Sequence, residues 1–296
     1  MILSTADSHR FYQIWWPLLR FVNSRCNIIE TFPENPAIVG LDIQDASKLR
    51  NILWNSPDLL DDFIQTNPAG LAEKELELAA SWRHRLSGQF IILRHLKKYS
   101  IFLRDEDSPI AFGVLGMMSP LHDVVGHYLP IMVNVVLLPF EGKITYDGLI
   151  SPYQVSFGPS LRNRFNHAFR IAQELYGVQT VLNQFGILES DTDSVAKGNQ
   201  KILLAFRKDL ATAGLSEKTF EDHFQTVEQF VKTYLLQTTP PTSLHNIQPD
   251  HIAGFMQQQG KKANRVSFKR LVRFLFTSER ISPESFKALE AFLKTL

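Results

Sequence analysis

The sequence predicts an α+β protein. N-terminal helices lead into a small antiparallel β-barrel or curled sheet, and an all-α domain of four helices follows. Two observations carry this. Strand-type runs cluster between residues 88 and 157 instead of alternating with helices. In the last hundred residues, apolar positions recur at steps of three and four. At 296 residues the chain exceeds the usual single core, so two domains are expected. The boundaries are an α+β domain over 1–188, a polar linker over 189–199 and a helical domain over 200–296.

The first third is mostly helical. One segment surrounds Phe11 to Val22. A second runs from Asp45 to Trp54 with Leu49, Ile52 and Leu53 on one side, and Pro57 lies just beyond it. Leu71 to Arg85 is rich in strong helix formers. Pro33, Pro36 and Gly40 mark an irregular connection. Strand chemistry then takes over in Gln89–Arg94, Ser100–Leu103, Ile110–Leu115, Ile131–Leu138 and Ile144–Tyr146. Glu-Gly at 141–142 and Asp-Gly at 147–148 between apolar runs are hairpin signals. A helix from Ser160 to Tyr176 closes the region, with Gly177 as its stop.

In the C-terminal region, Ile202, Leu203, Phe206 and Leu210 line a first helix that Gly214 ends. Ser216 is a candidate cap for a second, lined by Phe220, Phe224, Val227, Phe230, Val231 and Tyr234 and stopped by Pro240 and Pro241. Ile252, Phe255 and Met256 mark a short third helix, and Gly260 separates it from a fourth. There Phe268, Leu271, Val272 and Leu275 form the buried face, while Lys262, Arg265, Lys269 and Arg273 fall within a narrow arc elsewhere.

The stretch Leu204-Ala-Phe-Arg-Lys-Asp-Leu-Ala-Thr-Ala-Gly-Leu-Ser-Glu-Lys-Thr219, then Val227-Glu-Gln-Phe-Val231, Ile247-Gln-Pro-Asp-His-Ile252 and the helix from Ala263 to Phe276, resembles the SAM-like core-binding domain of phage-integrase-type tyrosine recombinases. The resemblance covers the last third of the chain and implies a clamp on duplex DNA. It places Ser216, Lys218 and Thr219 at the corner and Lys262, Arg265, Lys269 and Arg273 on the basic helix. Asn264 and Ser267 are nearby hydrogen-bond donors to phosphate. The family's catalytic domain, with its Arg, His-x-x-Arg and Tyr nucleophile, does not follow, so recombinase chemistry is not expected. The phrase from Leu137 to Leu149 looks like segments of uncharacterised bacterial proteins and implies no activity.

Charge agrees with this division. Residues 197–296 hold fifteen Lys/Arg against nine Asp/Glu, whereas the rest of the chain is acidic and the whole carries only +1. A basic domain on a nearly neutral chain points to a polyanionic partner. The competing reading is a protein-docking module that uses the same helical domain.

The remaining constellations are weak. His122, Asp123 and His127 lack the spacing of a helical metal motif. His84 and His95, with Arg83, Arg85, Arg94, Lys97 and Lys98, could cradle an anion, but strand alternation would split them between faces. No glycine-rich phosphate loop or Gly-x-Ser-x-Gly elbow occurs, and Cys26, the lone cysteine, excludes an internal disulfide framework. Phe11 to Val22 is too short to span a bilayer and has no cleavage signature. The expectation is a cytoplasmic, non-catalytic protein without a cofactor.

Overall fold

The computed structural model describes residues 1–34, 41–105, 109–182, 192–259 and 264–296. Pro36, Gly40, Gly260 and Lys262 lie outside the described residues, as does the start of the expected linker. The chain forms two compact units. The first comprises Met1–Arg104, Phe112–Gly158 and Gln179–Ile187, and the second Asp105–Ala111, Pro159–Val178 and Leu188–Leu296.

In the first unit, Ser4 caps α1 (Thr5–Cys26) by accepting from the Asp7 N–H, and Asn27 ends it in the left-handed region. Asp42 caps α2 (Ile43–Asn55), which is followed by α3 (Asp58–Thr66), α4 (Glu73–Ser81) and a 3₁₀ turn at Trp82–His84. The inward face of α1 carries Phe11, Ile14, Trp15 and Leu18, spaced to share one side of the helix. Trp15 stacks on Trp54 of α2 at 5.8 Å, and Phe11 meets Trp82 at 5.3 Å. Phe11 also meets Phe140 of the sheet at 6.0 Å.

The strands are β1 (Leu86–His95), β2 (Ser100–Arg104), β3 (Ile110–Val114), β4 (Ile131–Phe140), β5 (Lys143–Pro152) and the two-residue β6 (Val178–Gln179); a short helix, α5 (Leu121–Val125), lies between β3 and β4. They form one six-stranded sheet in the order β2-β1-β4-β5-β3-β6, and β2 also pairs with β3. β1 runs antiparallel to β2 and β4, and β4 to β5, but β3 and β5 are parallel. The expectation of a small antiparallel barrel or curled sheet is therefore corrected to a six-stranded mixed sheet that is not a barrel. Hairpin signals report local turns only, and the crossover that sets β3 beside β5 leaves no such signal. Asp147–Gly148, expected as a turn, lies inside β5. There the register against β4 slips between Val135 and Leu137, and Gly148 takes a φ of +89°.

The second unit begins with α6 (Pro159–Leu175). It continues with α7 (Thr192–Thr212), α8 (Glu217–Gln229), α9 (Pro249–Gln259), α10 (Arg265–Thr277) and α11 (Pro283–Thr295). The expected four-helix domain is thus not confirmed. The extra C-terminal helix α11 packs on α10, with Phe286 stacked on Phe276 at 4.2 Å. Residues 192–199, expected as linker, are the first turns of α7, where Val195 and Asn199 are buried. Asn199 donates to Thr242 O and accepts from the Leu244 N–H, which makes this polar stretch part of the core.

The core of this unit centres on Phe230, Phe255 and Phe268, whose rings lie 5.1–5.9 Å apart. α8 runs into a single π turn at Phe230–Tyr234. Tyr234 packs so tightly on Gly254 that a Cβ there would stand 2.0 Å from its hydroxyl oxygen. Only glycine fits under that ring.

Candidate nucleic-acid interface

α10 presents two opposed faces. Phe268, Leu271, Val272 and Leu275 are buried, and Lys269 and Arg273 are exposed one turn apart. Arg265, one turn before Lys269, is half-buried and starts the helix. Its buried Nε has no hydrogen-bond partner among the described residues. Lys262, the fourth member of the predicted stripe, is outside the described residues.

The electrostatics of this helix are unusual. Between Arg265 and Thr277 it carries Arg265, Lys269, Arg270 and Arg273 and no acidic residue. Elsewhere in the same unit lysines pair along their own helices, Lys232 with Glu228 and Lys294 with Glu290. Among the described residues no carboxylate pairs with Lys269 or Arg273. Like charges at i,i+4 cost a helix about 0.2–0.5 kcal/mol per pair. An arginine in the first turn also opposes the helix dipole. The sequence thus tolerates a local penalty to keep a one-sign face.

The other predicted contacts divide. Lys218 and Thr219 are exposed in the first turn of α8. Ser216 caps that helix, its Oγ 3.3 Å from the Thr219 N–H it accepts and 2.8 Å from the Thr219 hydroxyl. Asn264 caps α10 by accepting from the Val266 N–H, which leaves its amide nitrogen as a donor. Ser267 is fully buried, 2.9 Å from His223 Nδ1, and faces the core instead of a surface phosphate. Replacing Ser216 by alanine should cost about 1 kcal/mol of stability through the lost cap, read by urea titration followed by circular dichroism.

Two clusters beyond these were not assembled by sequence reasoning. In the second unit, Arg280 grips Glu174 through Nε at 3.2 Å and Nη2 at 2.6 Å. His245 sets Nε2 3.0 Å from the same carboxylate and Nδ1 2.8 Å from the Arg280 carbonyl. Burial acts to raise the Glu174 carboxyl, but His245 and Arg280 hold it below its ordinary value. The Arg280–Glu174 bonds tie α6 to the α10–α11 turn. In the first unit, His95 at the end of β1 meets His122 at 5.7 Å, and His122 stacks on His127 at 5.0 Å. The basic positions around His84 and His95 do not form an anion cradle. Arg83 pairs with Asp61, and Arg85 lies over the Trp54 ring while donating to the Trp54 carbonyl.

Burial also depresses three imidazoles of the second unit. His167, His223 and His251 all titrate below the ordinary histidine value, desolvation being the largest cause in each. Unfolding returns them to about 6.5, so the unfolded chain binds more protons just below that pH. Their contribution is complete above about pH 6.5 and is lost as the pH falls through the depressed folded values. The urea midpoint of this unit should therefore drop between about pH 7 and pH 5.

Among the described residues, no group of three His, Cys, Asp or Glu could hold a metal ion, and no helix is long and apolar enough to cross a membrane. No family model, curated protein or solved structure matches the chain.

Proposed function

We propose that the helical second unit binds duplex DNA, non-catalytically, with the exposed face of α10 against the phosphate backbone. The uncompensated cation stripe carries this reading: Lys269 and Arg273 are exposed and unpaired among the described residues, on a helix without a single carboxylate. Arg265, Lys218 and the Asn264 amide extend the contact, and Lys262 belongs to the same arc of the sequence. Ser267 takes no part because it is buried.

The mechanism is electrostatic. Each cation laid against a phosphate displaces a condensed counterion, and the freed ions supply the driving force. Such contacts set register on the duplex without reading bases. The resemblance of this segment to a recombinase core-binding domain supports the same partner. Fluorescence anisotropy of the full chain with a labelled duplex, across a salt series, is the test. Binding that weakens steeply with salt supports the reading. A chain that ignores duplex at low ionic strength sinks it and leaves protein docking on this helical unit as the alternative.

A further inference from the structure

We propose that His95, His122 and His127 form an acid-released latch that holds the segment Met117–Pro130 against the β1–β2 hairpin of the first unit. The geometry points to it. His95 ends β1, and its Nδ1 lies 2.7 Å from the Ser100 hydroxyl across the hairpin. The His122 ring stands edge-on to His95, tilted by 66°, and stacks on His127 at 28°. Three imidazoles thus run in file from a strand end, through α5, to the loop behind it.

The segment is anchored inside and open outside. Met117 and Leu121 are buried, whereas Met118, Val124 and Tyr128 are exposed, Tyr128 by 96%. α5 has only five residues and ends at Gly126. So short a helix has little stability of its own, and the His122–His95 ring contact links it to the hairpin.

The charged groups around the file are unbalanced. Asp123 Oδ1 lies 3.4 Å from His122 Nε2 and can compensate one imidazolium. Against the other two stand each other and the chain's N-terminal ammonium, which acts on His95. Neutral rings stack favourably. Doubly or triply protonated rings about 5 Å apart repel, with one carboxylate between them. Burial holds the His95 imidazole below its ordinary value, His122, His127 and the N-terminus add to this, and the Gly126 backbone opposes. Its buried Nε2 has no formed hydrogen bond among the described residues. Protonation within the file therefore sets like charges against one another and loosens it.

Amide hydrogen exchange and ¹H–¹⁵N spectra of the full chain, compared at about pH 7.5 and about pH 5, test the latch. Amides of 117–130 should lose protection by roughly tenfold or more after correction for intrinsic exchange, while the β4 and β5 amides keep theirs. In His122→Gln/His127→Gln the acid-induced step should disappear, because the amides of 117–130 are already less protected at neutral pH. His127→Gln alone, at an exposed position, is the fallback if the double variant folds poorly, and it should shrink the step. An unaltered acid response in these variants, or imidazoles that titrate without any change in 117–130, overturns the proposal. So does a response abolished by a chelator, because that would make the file a metal site.

Discussion

Replacing Lys269 and Arg273 together with glutamate is expected to weaken duplex binding on the order of tenfold to a hundredfold at low salt, equally for unrelated DNA sequences. Both side chains point to solvent, and neither takes part in the packing of α10. The pair at positions 265 and 269 turns from like-charged to opposite-charged, while the pair at 269 and 273 stays like-charged, so the helix is not penalised further. Folding should therefore survive, and the loss is attributable to contact. The slope of log affinity against log salt falls by about 0.9 for each phosphate contact removed, so the double variant should be shallower by roughly two. An undiminished slope would show that the phosphates are met elsewhere on the molecule. Ser267→Ala is a useful companion, since a buried hydroxyl held by His223 affects stability and leaves the salt slope alone.

What could be read along the chain was whatever one element encodes by itself. α10 was legible because four apolar residues and three of the four predicted basic ones sort onto two faces at the helical period. The last helix was also encoded, in the cap Ser282, the first-turn Pro283 and Glu284, yet the four-helix expectation omits it. Residues 192–199 looked like a linker because Asp, Ser, Gly and Asn usually make one. Burial of Val195 and Asn199 overrides that composition. Pairings between distant positions could not be read at all. Nothing in His95 foretells His122, and nothing in Asp147 foretells Arg50, 97 positions away. The basic stripe was the most legible part of the candidate interface. Its sharpest feature, the absence of any carboxylate on that helix, gained meaning only beside Lys232 and Lys294, which pair with glutamates of their own helices.

Asp147→Ala should destabilise the first unit by about 3–5 kcal/mol. The carboxylate is fully buried in β5, and Oδ2 accepts from Arg50 Nε at 2.6 Å and from Trp54 Nε1 at 2.9 Å. Oδ1 accepts from the Leu149 N–H at 3.3 Å. Burial pushes this carboxyl up, and Arg50 leads the groups that hold it down. Truncation leaves the Arg50 guanidinium charged and uncompensated beneath α2, with the Trp54 indole unpaired beside it. The cost is chiefly that of the orphaned charge. Removing both partners, as in Arg50→Met/Asp147→Leu, should thus be milder than either single change, because no charge is then stranded. All four tryptophans, Trp15, Trp16, Trp54 and Trp82, belong to the first unit, so their fluorescence in a urea titration reports its unfolding alone. If Asp147→Ala shifts that transition by less than about 1 kcal/mol, the pair is not what fastens α2 to the sheet. If the double variant is as unstable as the single one, the loss comes from packing instead of from an abandoned charge.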